Sequence, residues 1–375
     1  MDQVNPLIEY FSGGGTVADL QANRCIQVIP HAKLPLDILL AHKTDSNKID
    51  PVTRECRGTV IERGTNRIVA KSFKRFFDYR HAKAGDFDWE DFMATVKEDG
   101  IMTPVYSWEG RWFSGTKGTF GDRVVSGDKT HQENFWHVSR IDPHGLDPAW
   151  TYVFELCVDF PGRIKRYARP KPILLTMFDP VTCRELSDGE IAKAARFIRV
   201  ARPTKIEFDW DDPIAEIKRF LGDNDIANGM SPAVPGIEGL VVKDCNGERL
   251  KFKTKTWEYL HRLNNNGMEV EDSALAEFHF KVNSGFLWDF PVERLQLQAV
   301  QVAVKIGDAY DELKYVWLRV KDIEGQKEFA EAVKDEPFSF VLFKARKLRD
   351  FPAAWYDSGS QIVKKLFGEK KENAQ

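Results

Sequence analysis

Three short stretches of this chain carry side chains whose types and order suit phosphorus chemistry. Lys97-Glu98-Asp99-Gly100 sets a lysine just before an Asp-Gly turn. Downstream come Ile237-Glu238-Gly239 and then Leu250-Lys251-Phe252-Lys253-Thr254-Lys255, an acidic strand followed by a lysine-rich one. A lone Lys-x-Asp-Gly says little, because Asp-Gly is a common turn dipeptide and surface lysines are abundant. In this order the three stretches point to covalent nucleotidyl transfer. The amine of Lys97 would attack phosphorus, a carboxylate would hold a hydrated divalent metal, and lysines would neutralise phosphate oxygens.

Such a site needs a scaffold that brings the stretches together. Asn246-Gly247 between two strand-like runs is a strong signal for a two-residue type I′ hairpin. Pairing Cys245 with Glu248 and counting outward places Leu240 opposite Lys253 and Glu238 opposite Lys255. Alternation then puts Glu238, Lys253 and Lys255 on one face, with Phe252 and Thr254 on the other. A bulge would shift this register by one residue. The competing reading is a solvated hairpin whose cross-strand ion pair contributes little.

Further hairpins are expected over 58–62 with 67–71, and over 104–108 with 111–114. Residues 88–96 read as a short amphipathic helix leading to Lys97. Ser187-Asp188-Gly189-Glu190 is a capping-box start for a helix through about residue 200, and Asp212-Pro213 opens another that Gly222 ends. The pattern is α+β with antiparallel sheets. Beyond Thr256 helical periodicity takes over, across 292–305, 309–321, 326–334 and 339–348, with Pro291 and Pro352 near helix starts. We therefore expect one domain over residues 1–262 and an all-α C-terminal domain over 263–375.

Composition permits this plan. At 375 residues with 42% hydrophobic content, the chain is long enough for two domains with a sizeable core. Lys+Arg 54 against Asp+Glu 57 gives a formal net charge of -3, so any nucleic-acid affinity must come from local basic patches. The densest is Gly162-Arg163-Ile164-Lys165-Arg166-Tyr167-Ala168-Arg169-Pro170-Lys171, with a tyrosine available for stacking, and its alternative is a solvated loop. Cys25, Cys56, Cys157, Cys183 and Cys245 are scattered without a Cys-x-x-Cys pair, which fits a reducing, cytoplasmic setting and suggests neither a disulfide framework nor a zinc site. No apolar run approaches the length of a membrane span, and the N-terminus lacks a basic-then-apolar leader. Ser12-Gly13-Gly14-Gly15-Thr16 lacks the Lys-Ser/Thr ending of a phosphate loop and reads as a turn.

The ordered set resembles the lysine-dependent nucleotidyltransferase superfamily of ATP-dependent ligases and mRNA-capping enzymes, and within it the phage RNA ligase 1 family. Arg54-Glu55-Cys56-Arg57-Gly58-Thr59 followed by Phe76-Phe77 resembles the region upstream of the nucleophile. Lys97-Glu98-Asp99-Gly100 is similar to motif I, Thr116-Lys117-Gly118-Thr119 to motif Ia, and Val153-Phe154-Glu155-Leu156 to motif III. Pro172-Ile173-Leu174-Leu175 resembles motif IIIa, Glu238-Gly239-Leu240-Val241 motif IV, and Phe252-Lys253-Thr254-Lys255 motif V. The match covers residues 54–261.

The resemblance implies an ATP-grasp-like nucleotidyltransferase domain in which Lys97 becomes the AMP-lysine. It implies that Glu155 contacts the ribose or places the nucleophile, and that Glu238 positions magnesium. Arg57, Lys253 and Lys255 would hold the phosphates of ATP, Lys117 would support the pocket, and Phe77 would pack near adenine. Arg75 stands where the family often has a lysine before the Phe-Phe pair. Lys117, Lys253, Lys255 and Arg57 could also lower the pKa of Lys97, which at its ordinary value of about 10.4 would be protonated and unable to attack.

The implied reaction is ATP-dependent joining of a 5′-phosphate RNA end to a 3′-hydroxyl end, in tRNA repair with an end-healing polynucleotide kinase-phosphatase partner. A phage-encoded protein would act in the host cytoplasm, and the helical C-terminal domain would select RNA. A DNA ligase or mRNA guanylyltransferase is the near alternative. Those commonly carry an arginine where this chain has Met102 and append a β-rich domain where this chain reads as helical. A non-catalytic RNA-binding protein with a ligase-like fold is the distant alternative.

Overall fold

The computed structural model describes residues 4–42, 47, 49–81, 87–126, 128–158, 167, 169–208, 212–223, 237–263, 270–281 and 295–368. The chain divides into two compact units, residues 1–221 with 237–253, and residues 222–236 with 254–375.

The first unit is α+β and built on antiparallel sheets. One four-stranded sheet runs Ile26–Pro30, Leu36–Ala41, Arg57–Glu62, Ile68–Ala70. A second runs Lys171–Phe178, Thr151–Cys157, Ile101–Trp108, Arg111–Ser114. The third is five-stranded, in the order Lys205–Ile206, Phe92–Lys97, Gly239–Asp244, Arg249–Lys253, Phe77–Asp78, with only the last pairing parallel. Both expected hairpins upstream of residue 115 are present. The helix Asp188–Phe197 opens on the expected capping box at Ser187, and Pro213–Asp223 begins at the expected proline. The core of the five-stranded sheet is Ala94, Leu240, Val242, Leu250 and Phe252. These are alternate residues of three neighbouring strands, so the opposite face is left to Thr95, Lys97, Val241, Lys243, Arg249, Lys251 and Lys253.

Two local expectations fail, for identifiable reasons. Residues 92–97 form a strand instead of ending a helix. Asp88 does not cap a helix; its Oδ1 accepts from Glu90 N at 2.9 Å in a local turn, while its own N donates to Asp244 Oδ2 at 3.2 Å. The six-residue run is too short for periodicity to settle, and strand partners on both edges decide it.

The hairpin after Glu238 closes through three residues, not two. Asp244 N donates to Glu248 O at 3.1 Å, and Gly247 N donates to Asp244 O at 3.1 Å. Only Gly247 has positive φ, at 77°, as in a loop ending in a left-handed glycine. Asp244 Oδ1 accepts from Glu248 N at 2.8 Å, which holds the wider loop. The register moves by one, so Gly239 stands opposite Lys253 and Leu240 opposite Phe252. Lys255 consequently does not face Glu238 across the hairpin. It starts the helix Lys255–Leu263, where Thr254 Oγ1 accepts from Trp257 N at 3.3 Å.

The second unit is helical throughout its described residues: Lys255–Leu263, Asp272–Lys281, Gln296–Val320, Gln326–Val333, Ser339–Leu348, Phe351–Asp357 and Gly359–Phe367. Its core includes Phe278, Ile306, Phe329 and Trp355. The two helices expected over 292–305 and 309–321 are one continuous helix from Gln296 to Val320. Gly307 costs about 1 kcal/mol inside a helix, but Ala303, Ile306, Ala309 and Leu313 keep one buried face running through it. Pro291 lies outside the described residues. Among them, no helix is long and apolar enough to cross a membrane.

Candidate active site

The three chemistry-bearing stretches meet on one face of the five-stranded sheet. Gly239 pairs with Lys97 on one side and with Lys253 on the other. Glu238, one residue earlier, therefore lies between the two lysines. Its Oε2 accepts from Lys97 Nζ at 2.7 Å and its Oε1 from Lys253 Nζ at 2.8 Å. Gly239 is needed for close approach, since a Cβ there would lie 1.9 Å from Phe252 O. The Glu238 side chain is only 6% exposed, and a buried carboxylate persists in ionised form when it is paired in this way.

Burial pushes the Glu238 carboxyl up, but Lys97 and Lys253 outweigh it and hold it below the usual carboxylate range. Burial pulls Lys97 down, and here the carboxylates of Glu238, Glu155 and Asp99 reverse the sign, leaving Lys97 above its ordinary value. The expected cations do not win at Lys97 in this arrangement. Its amine is held as an ammonium.

A cavity of about 540 Å³ opens beside Lys97, within the size range of small-ligand sites of roughly 300–1,000 Å³. Arg57, Lys117 and Glu155 line it, and so does Phe76. Glu155, on the strand Thr151–Cys157, accepts from Gly100 N at 2.9 Å and fixes the turn after Lys97. Gly58, at φ 83°, lets the backbone of Lys117 approach Arg57, because a Cβ at Gly58 would lie 2.7 Å from Lys117 Cα. Arg57 Nη1 is buried with no partner. Burial, then Arg75, push the Arg57 guanidinium down, against a smaller upward pull from Glu155.

The backbone at Arg75 is held by a neighbouring cluster. Arg54 donates from Nε to Arg75 O at 3.0 Å and from Nη2 to Glu248 Oε2 at 2.6 Å, and Lys74 Nζ reaches Glu248 Oε1 at 2.5 Å. The same loop places the two phenylalanines differently from expectation. Phe77 is buried and stacks on His81, with ring centroids 4.3 Å apart, while Phe76 forms the cavity wall with the Arg57 guanidinium 5.3 Å over its ring.

Lys251 is the residue that sequence reasoning passed over. By alternation it shares a face with Lys253, and it stands across Val241 from Thr95, on the face that carries Lys97. Burial pulls it down, and the charges of Lys253, Lys97 and Arg57 pull it further, with a small opposing pull from Asp78. Its place two residues before Lys253 was the available signal. A second missed group lies at the other end of the same hairpin. Glu185 accepts from Arg249 Nη2 and from Thr176 Oγ1 (2.5 Å), and pairs with Lys243 Nζ at 3.1 Å.

For a metal, the donor set is Glu238 with Glu155 nearby. Among the described residues, no group of three or more His, Cys, Asp or Glu side chains could hold an ion. One or two carboxylates completed by substrate phosphates is the usual manner of holding magnesium, so the residues fit that ion. The unpartnered Arg57 Nη1 and the lysines around Glu238 fit a polyphosphate. Most of the basic run 162–171 lies outside the described residues.

A family model described as RNA ligase, that of the phage RNA ligase 1 family, matches residues 55–282. A protein of Autographa californica nuclear polyhedrosis virus, named as a bifunctional polynucleotide kinase/RNA ligase, is 26% identical over 379 residues, which cover 95% of this chain and 51% of that protein. The chain thus spans about half the length of the curated relative it matches. Among solved structures, an archaeal ATP-dependent RNA ligase is similar at 13% identity with a TM-score of 0.45, over 93% of this chain and 77% of that one. A Naegleria gruberi RNA ligase variant with ATP and manganese is similar at 17% identity and TM-score 0.36, over 48% and 53%. The family match extends over more than half of the chain and takes in both Lys97 and Glu238: the protein belongs to the phage RNA ligase 1 family.

Proposed function

We propose that this protein is an ATP-dependent RNA ligase that joins a 5′-phosphate end to a 3′-hydroxyl end through a lysyl-AMP. The observation that carries the reading is Lys97 at the wall of a cavity that also presents Arg57, Lys117 and Glu155, with Glu238 joining its amine to that of Lys253 behind it. In the first step Lys97 Nζ, having lost a proton, bonds to the α-phosphorus of ATP, and the bond to the bridging oxygen breaks to release pyrophosphate. AMP then passes to the RNA 5′-phosphate, and attack by the 3′-hydroxyl expels it.

The resting ammonium of Lys97 is a consequence of three carboxylates around one amine. Charge arriving with nucleotide and metal competes for those carboxylates and frees the amine for deprotonation. Arg57, Lys251 and Lys253 face the negative charge that grows on the phosphate oxygens, a preorganised field of the kind that contributes most to phosphoryl transfer. Glu155 holds the turn after Lys97. Magnesium, with Glu238 as its protein ligand, would supply further positive charge to the phosphates. We place Arg75 behind Arg57 as its electrostatic neighbour, Phe77 behind the cavity wall, and Lys255 outside the first step.

The finer reading is repair of broken RNA, tRNA included, by a protein in the cytoplasm that works with an end-healing kinase-phosphatase. The baculovirus relative, named for both kinase and ligase, supports that pairing. The helical unit would select RNA. The test is incubation with α-labelled ATP and, separately, α-labelled GTP with magnesium, followed by denaturing electrophoresis and by sealing of a nicked tRNA. Label from ATP alone, with joining, supports the reading. No label from either nucleotide, or label from GTP only, contradicts it.

A further inference from the structure

The turn that follows the nucleophile is tied on two sides, and the proposed chemistry accounts for only one of them. Gly100 N donates to Glu155 Oε1 at 2.9 Å. On the other side Asp99 N donates to the hydroxyl oxygen of Tyr167 at 3.1 Å, and that hydroxyl donates to Glu98 Oε2 at 3.1 Å. One phenol thus satisfies a backbone donor and a side-chain acceptor in the two residues immediately after Lys97. Asp99 is 7% exposed, so water is a poor substitute partner for its amide. Lys171 Nζ lies 5.9 Å from the ring centroid, where the strand Lys171–Phe178 begins.

A lysine has four side-chain torsions, and its reach to phosphorus depends on where its backbone is anchored. Lys97 ends a strand, and its aim is set by the sheet on one side and by the turn 98–100 on the other. Loosening that turn displaces Nζ without removing any group that binds nucleotide. We propose that Tyr167 is a positioning residue for the attack of Lys97 on ATP: its hydroxyl locks the 98–99 turn and thereby aims the amine. The inference rests on the reading of Lys97 as the nucleophile. It goes beyond that reading by assigning a task to a tyrosine that lies 70 residues further along the chain and is not one of the groups that hold nucleotide.

The test is Tyr167→Phe, which removes one oxygen and keeps the ring. At saturating ATP the rate of lysyl-AMP formation should fall about ten- to a hundredfold, the scale expected for a misplaced nucleophile. The ATP concentration for half-maximal rate should stay within about threefold, and so should joining of pre-adenylated RNA, which bypasses Lys97. Glu98→Ala, which releases the hydroxyl's acceptor, should lower the same rate in the same direction. Adenylation of Tyr167→Phe at the wild-type rate overturns the proposal. So does a parallel loss of adenylation, ATP affinity and pre-adenylated joining, which would mark general damage. If Tyr167→Phe fails to fold, Glu98→Ala decides, a wild-type rate there overturning the proposal. Failure of the wild-type protein to take label would instead overturn the ligase reading on which the proposal rests.

Discussion

A buried carboxylate, Glu238, and a half-buried one, Glu185, meet opposite ends of the same hairpin, each between two basic side chains. Glu238 bridges Lys97 and Lys253 within one sheet, and both of its oxygens are used by lysines alone. Glu185 reaches Arg249 and Lys243 on the hairpin from the end of the neighbouring sheet, where Glu185 bridges to Phe178, and it takes a third bond from Thr176. Arg249 is further covered by Phe73, 4.8 Å from its guanidinium. The Glu185 group is a strut between sheets with its bonds filled, and Glu185, Lys243 and Arg249 also line the cavity. In the Glu238 group it is Lys97 that lines the cavity, at a strand end beside a tight turn.

The comparison also corrects an intuition about nucleophiles. Burial and Arg249 pull Lys243 below its ordinary pKa despite Glu185, and Lys251 is likewise lowered. Lys97 alone of the three is raised, because Glu238, Glu155 and Asp99 together outweigh its burial. A search for a depressed lysine would select Lys243 or Lys251 and pass over Lys97.

Substitutions can break this comparison at graded strength. Lys97→Ala should remove the covalent AMP adduct, a loss on the order of a thousandfold or more, with the far-UV circular dichroism unchanged. Glu238→Ala should lower adenylation by about a hundred- to a thousandfold, since it removes the metal ligand and leaves two lysines facing each other. Single-turnover labelling reads both. Lys251→Ala should cost about tenfold in the same assay, as loss of one phosphate-facing charge, and Lys255→Ala less than about threefold. Equal losses for these two lysines would mean that the register is not what matters.

Glu185→Gln should have the smallest effect on chemistry and the clearest one on stability. Adenylation should stay within about threefold, while unfolding free energy at pH 7 drops by about 1–3 kcal/mol. The pH dependence follows from sign. Burial raises the Glu185 carboxyl, but Arg249, Lys243 and Thr176 more than reverse it, so its folded value lies below the unfolded one near 4.3. Its stabilisation is present above about pH 4.3 and is lost as pH falls through the lower folded value. Wild type and Glu185→Gln should therefore converge in urea melts as pH is lowered through that range. A gap that persists below it would contradict the strut.

Much of the site is legible in the sequence because its parts announce themselves locally. Lys97 precedes an Asp-Gly turn, Glu238 precedes a glycine that nothing larger could replace, and Lys253 alternates with apolar neighbours. The antiparallel hairpins and the helical second unit are legible from period and caps. What is hidden depends on facts outside the local window. A single extra loop residue, held by Asp244, moves the register and takes Lys255 out of the pairing with Glu238. The choice between Phe76 and Phe77 as cavity wall turns on a two-residue strand pairing with Leu250. Residues 92–97 become a strand through partners more than a hundred residues away. Glu185 carries no motif, and Tyr167 stands out in the sequence only as a stacking candidate in a basic run; tertiary pairing alone brings them to the hairpin and to the turn after Lys97.

The most direct test of the account is to locate the adduct. The protein is incubated with ATP and magnesium, its intact mass is measured, and the modified peptide is sequenced by tandem mass spectrometry. The account predicts one AMP, on Lys97, removed by added pyrophosphate and absent from Lys97→Ala. AMP on Lys243, Lys251 or any other lysine, or an adduct that survives in Lys97→Ala, would contradict it.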